Sequence, residues 1–146
     1  MTDMITEDHV SIETAKLLAQ KGFNESCDYC YVEEISSDNS SFHLSNINDL
    51  LYNEENDLKN VDLSGWVCLA PTLQMAMKWL RNVHGLHCNS DYDFVLGWYC
   101  QITSLNETVE YDYEEMKHYH PDKDSGFSSP EEACEAAIKY CLENLI

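Results

Sequence analysis

Ser129-Pro130-Glu131-Glu132 spells the start of a helix: a serine able to cap, a proline at the first helical position, and a glutamate three residues after the cap that completes a capping box. Ala133, Ala136, Ala137, Tyr140 and Cys141 then recur at helical spacing and make one apolar face. Two further starts are written the same way. Ser11 precedes Ile12, Ala15, Leu18 and Ala19, with Gly22 as the stop. Thr72, after Pro71, precedes Leu73, Ala76, Met77, Leu80 and Val83, with Trp79 widening the face and Gly85 ending it. Between these helices lie β-forming runs at 27–32, 66–69, 86–88, 94–103 and 108–113, the last alternating Val109, Tyr111 and Tyr113. The polar stretch 104–107 suits a hairpin turn. This order predicts an α+β fold, about three helices packed on a mostly antiparallel sheet, and 146 residues suffice for one domain spanning 1–146. Trp66, Trp79 and Trp98 each sit in a hydrophobic stretch and are expected in the core. Residues 36–64 are rich in Ser, Asn and Asp, with one helical turn near 47–52. So long an acidic polar loop is uncommon in a compact domain and points to function or motion.

Whatever the fold, its surface is acidic. The chain carries 27 Asp and Glu against 8 Lys and Arg, a net of −19, while 44% hydrophobic residues are too many for a disordered acidic tail. Such a surface repels nucleic acid and anionic membranes and favours basic partners. Spread evenly over roughly 7,700 Å², it amounts to about one net charge per 400 Å², against about one per 100 Å² on duplex DNA, so mimicry of a phosphate backbone requires clustering. Two windows supply the clustering. Residues 33–62 hold Glu33, Glu34, Asp38, Asp49, Glu54, Glu55, Asp57 and Asp62 against Lys59 alone. Residues 82–116 hold Asp91, Asp93, Glu107, Glu110, Asp112, Glu114 and Glu115 with no Lys or Arg. In the second window Tyr92, Tyr111 and Tyr113 are interleaved, and carboxylates with tyrosines on a rigid edge suit an Arg/Lys-rich groove. The same pattern also describes charged strand edges that block aggregation.

Chemistry-bearing motifs are sparse. Walker A, G-x-G-x-x-G, H-E-x-x-H and G-x-S-x-G patterns are all missing, and no enzymatic activity or cofactor is expected. Cys88 with His118 is a conceivable nucleophilic pair only if folding assembles it; cysteines among apolar neighbours are more often core residues. Cys27 and Cys30 form a C-x-x-C, and with His84, His87, Cys88, His118 and His120 they offer an alternative reading as a small zinc domain, though a second knuckle pair is lacking. The oxygen-rich stretches 46–49 and 53–57 offer a looser cation or ligand site but do not match an EF-hand loop. Seven cysteines without a repeating spacing read as reduced thiols, and with no signal segment or membrane span in the sequence the expected location is the cytoplasm.

The helix written Pro71-Thr72-Leu73-Gln74-Met75-Ala76-Met77-Lys78-Trp79-Leu80, the strand Gly97-Trp98-Tyr99, the Lys21-Gly22-Phe23 helix end and the final Glu132-Ala133-Cys134-Glu135-Ala136-Ala137-Ile138 stretch together resemble a group of small phage and prophage proteins of gut bacteria. The resemblance covers about two thirds of the chain, leaves out the acidic loop, and rests on capping and core residues. It implies a mobile-element protein that acts by binding. Joined to the charge and the missing motifs, it leads to an expected inhibitor of a host CRISPR or restriction nuclease. The expected contact set is Asp91, Asp93, Glu110, Tyr111, Asp112, Tyr113, Glu114 and Glu115, facing a basic host protein with neither nucleic acid nor membrane bound directly.

Overall fold

The structure, a computed structural model, describes residues 7–35, 40–51, 66–120 and 125–146. In chain order the elements are α1 (Ile12–Gln20), β1 (Tyr29–Ile35), β2 (Ser40–Asn46), α2 (Ile47–Leu51), β3 (Trp66–Leu69), α3 (Leu73–His84), β4 (Leu86–Asp93), β5 (Gly97–Ser104), β6 (Val109–Tyr111), the short helix α4 (Tyr113–Met116) and α5 (Pro130–Tyr140). A 3₁₀ turn (Lys117–Tyr119) follows α4, and a π-helical turn (Cys141–Leu145) follows α5. The class is α+β, and every strand pairing among the described residues is antiparallel. Two three-stranded sheets, ordered β2-β1-β3 and β4-β5-β6, take the place of the single sheet expected.

The three principal helices start where their caps are written. Ser11 Oγ accepts from the Thr14 amide at 3.3 Å, Thr72 Oγ1 from Met75 at 3.1 Å, and Ser129 Oγ from Glu132 at 3.1 Å. Gly85 ends α3 in the left-handed conformation at φ 67°. The capping box at α5 is only half made. The Glu132 carboxylate accepts instead from Ser128, from its Oγ at 2.6 Å and its amide at 3.2 Å, and these bonds hold the carboxyl below its ordinary value.

The chain divides into two compact units. In residues 9–71, β1 lies between β2 and β3, with Tyr29 opposite Asn46 and Cys30 opposite Leu69, and α1 packs on β3. Tyr31 Oη donates to the Val10 carbonyl at 2.6 Å, and Val10, Ala15, Leu18, Phe23, Cys30 and Cys68 are buried. The other unit takes in residues 7–8 and runs from Thr72 onward. Here β4 pairs along β5 from Leu86 opposite Ser104 to Asp93 opposite Gly97, and β6 adds on the other side, with Val109 opposite Ser104. Helix α5 packs on β4 and β5, and α3 on β4 and α5. Their buried residues include Leu73, Ala76, Trp79, Leu80, Ala133, Ala137 and Ile138, which join Leu86 and Ile102 of the sheet.

Several local expectations change. Residues 40–46, expected within a loop, form β2. Phe42 and Leu44 are its only large apolar side chains, and both remain partly exposed among Ser, His and Asn. The helical turn expected near 47–52 is present as α2; 36–39 and 52–65 lie outside the described residues. Trp66 is 40% exposed rather than core, because β3 is an edge strand and the indole sits at its first residue. Val83 also faces outward, since the buried face of α3 runs through Trp79. The strand expected at 108–113 stops at Tyr111, and Asp112 opens α4.

Candidate partner-binding surface

Alternation along β4, β5 and β6 divides the second sheet into two faces. Cys88, Cys100 and Ile102 are buried on the inner one. Strand register places Asp91 opposite Tyr99, Asp93 opposite Gly97 and Glu110 opposite Thr103, so these three carboxylates share the outer face, with Asn89 and Gln101 among its polar residues. Asp91 and Glu110 are exposed and Asp93 is half-buried. Gln101 Nε2 donates to Glu110 Oε2 at 3.4 Å. The Asp91–Asp93 end and Glu110 are separated by the length of β5 from Gly97 to Thr103, roughly 20 Å at about 3.3 Å per residue. Of the eight expected contact residues these three therefore share one face, spread along it rather than clustered.

The rest of the expected set is largely occupied by local structure. Asp112 Oδ1 accepts from the Glu114 amide at 3.1 Å, and Glu115 Oε2 accepts from the Asp112 amide at 2.8 Å, which completes a capping box here. Glu114 pairs with Lys117 at 2.8 Å on the exposed side of α4. Tyr113 is buried, and its hydroxyl donates to the Ser125 carbonyl at 2.7 Å, so it is a core residue and not part of an exposed edge. Tyr111 is half-buried, its ring 5.7 Å from Tyr140. The D-x-x-E spelling of 112–115 was the available signal for α4; the alternation Val109-Tyr111-Tyr113 concealed it.

At the far end of β4 the chain turns through Asp93-Phe94-Val95-Leu96-Gly97. Asp93 Oδ1 accepts from the Val95 amide at 2.8 Å and the Leu96 amide at 2.9 Å, and the Leu96 bond foremost holds its carboxyl below the ordinary range. Gly97 takes φ 101° to enter β5. Phe94 and Val95 are left 98% and 92% exposed. The sequence reading of 94–103 as one strand placed them in the sheet; the Asp93 turn takes them out of it.

The cysteines and histidines do not assemble into a centre. Among the described residues no three or more His, Cys, Asp or Glu are grouped to hold a metal ion. His87 and Cys88 are successive on β4 and point to opposite faces. Cys30 is buried beside Cys68, and the His84 ring stands edge-on to Trp79 at 4.8 Å. The His118 ring lies tilted against Tyr119, the ring centres 4.0 Å apart. Cys88 instead joins Cys100, Cys134 and Cys141 in a buried row of thiols between the sheet and α5. Hydrogen bonding to Cys100 pulls the Cys88 pKa down, but hydrogen bonding to Cys141 and burial outweigh it and leave the thiol well above its ordinary value. A neutral, buried thiol is a poor nucleophile. Asn46 Oδ1, in the oxygen-rich 46–49 stretch, accepts from Asn48 and Asp49 amides at 2.8 and 3.3 Å and so caps α2; 53–57 lies outside the described residues. In the 9–71 unit a pocket of about 300 Å³ opens beside α1 and β3, lined by Ala15, Ala19, Phe23, Asn24 and Trp66 among others, with no acidic or histidine side chain. No helix among the described residues is long and apolar enough to cross a membrane.

No protein-family model matches the chain, and no curated protein or solved structure matches it either.

Proposed function

We propose that this chain is a non-enzymatic acidic binding protein, encoded by a phage or prophage, that occupies the basic groove of a host nucleic-acid-handling defence protein such as a CRISPR or restriction nuclease. The observation that carries this reading is the outer face of the β4-β5-β6 sheet. Asp91, Asp93 and Glu110 stand on it, and the chain from 82 to 116 supplies seven carboxylates and no Lys or Arg. Fixed on strands, these charges meet a partner without the ordering cost that a loose loop would carry. The net charge of −19 adds long-range steering, so association is fast and falls as salt is raised. Affinity capture from a gut-bacterial host lysate tests it. A basic nucleic-acid-binding protein should be retained at low salt and released as salt rises. Recovery of no basic protein at low salt, or retention unchanged at about 0.5 M salt, would contradict the proposal.

A further inference from the structure

Phe94 and Val95 are almost fully exposed at the tip of a turn that the fold holds in place from three sides. Asp93 caps the amides of Val95 and Leu96. The Gly126 amide donates to the Leu96 carbonyl and the Phe127 amide to the Trp98 carbonyl at 2.7 Å, so a second segment of backbone supports the return strand. Tyr92, itself half exposed, touches the Phe94 ring edge-on at 6.1 Å and Trp98 at 5.1 Å. Turn tips ordinarily carry Gly, Asn, Asp or Ser, and nothing in the described packing of this unit requires Phe or Val there. A Phe side chain presents roughly 150–250 Å² of surface, and a rigid apolar projection of this kind is what buried anchors at protein interfaces look like before the partner arrives.

We infer that the β4–β5 tip is the docking element of this protein, with Phe94 and Val95 entering an apolar pocket on a partner protein and Asp91 and Asp93 meeting Lys or Arg side chains on the pocket's rim. The inference rests on the acidic-binder reading and deepens it by naming the anchor. Charge decides among the occupants. The tip is flanked by carboxylates, and no Lys or Arg lies between 82 and 116, so an anionic lipid surface is repelled. A second copy of the chain would bring another net −19 against the first. A basic-rimmed pocket meets both the apolar tip and its acidic flank.

The test selects a phage-displayed library of short random peptides on the immobilised full-length protein, then repeats the binding with Phe94→Ser/Val95→Ser. Exposure of both side chains means the variant should fold, as circular dichroism and an unchanged melting temperature will show. Selected peptides should combine Lys or Arg with Leu, Phe, Trp or Met, shift the amide resonances of 92–98, and bind the variant about tenfold or more weakly. Basic peptides that bind wild type and variant alike, but lose affinity to Asp91→Asn/Glu110→Gln, would overturn the tip as anchor while leaving the acidic-binder reading standing. Peptides without basic residues would overturn the charged rim. Binding of the wild type, but not the variant, to phosphatidylcholine vesicles would overturn a protein partner, and concentration-dependent dimers lost in the variant would overturn it in favour of self-association.

Discussion

Gly126 donates its amide to the Leu96 carbonyl at 2.5 Å, and a methyl group placed on Gly126 would lie 2.5 Å from that same oxygen and 2.7 Å from the Trp98 carbonyl. Backbone meets backbone here, so no flexible side chain can yield. Gly126→Ala should therefore destabilise the protein by about 1–3 kcal/mol, the usual cost of forcing extra volume into a packed site. Urea denaturation measures it. An unchanged midpoint would mean that the 125–127 segment does not pair with β5 as described.

Thr108 is the non-glycine residue with a left-handed backbone among those described, at φ 54° in the turn between β5 and β6. A β-branched residue is strained there, while glycine is not. Thr108→Gly should raise stability by about 0.5–1 kcal/mol, the relief of strain less the entropy that glycine loses on folding. Thermal melting distinguishes this from the loss expected if the Thr108 hydroxyl, which donates to the Glu107 carbonyl at 2.6 Å, mattered more.

The buried thiols should make stability fall at alkaline pH. Cys134 is raised first by its hydrogen bond with Cys100 and then by burial, and Cys88 and Cys100 are raised with it. A folded-state pKa above the unfolded one gives stability that is complete below the unfolded value and is lost as pH rises toward the folded value. Stability should hold to about the ordinary thiol value of 9.0 and decline above it. Denaturant midpoints measured from neutral to alkaline pH check the slope, and a rise with pH would contradict it. Cys27 is the half-exposed exception, pushed up to about 11 by burial and then by Asp28 and Glu25. A thiol reagent at neutral pH should label the native chain slowly and at Cys27 first, with all seven cysteines reacting once it is unfolded.

Replacing carboxylates on the expected contact set should separate two classes of residue. Asp112→Ala should cost about 0.5–2 kcal/mol, because it removes a helix cap, whatever it does to binding. Asp91→Asn and Glu110→Gln touch no cap, and surface changes of this kind stay within about 0.5 kcal/mol. Equal melting temperatures for all three variants would contradict the capping role of Asp112.

How far the sequence was legible follows the range of the forces involved. Ser11, Thr72 and Ser129 announce their helices because capping is settled within one turn, so the helical part of the α+β fold could be read directly. Strand β2 could not, since two partly exposed apolar residues among serines leave too weak an alternation until β1 supplies the partner. The division into two sheets depends on pairings between distant residues, such as Cys30 with Leu69, that no local pattern encodes. At the candidate site the carboxylates were visible as composition, but charge does not say which of them cap a helix or turn. Asp112, Glu115 and Asp93 all do. Phe94 looked like the first residue of a strand and stands instead on the turn that Asp93 closes.

Competition with nucleic acid is the most direct test of whether the acidic face occupies a basic groove. The basic partner captured from host lysate would be loaded with labelled duplex DNA, and this protein titrated in at low and high salt. Displacement of the duplex at low salt, weakened about tenfold or more by Asp91→Asn/Glu110→Gln, is the predicted result. A stable ternary complex, in which the partner holds the duplex and this protein together, would contradict it.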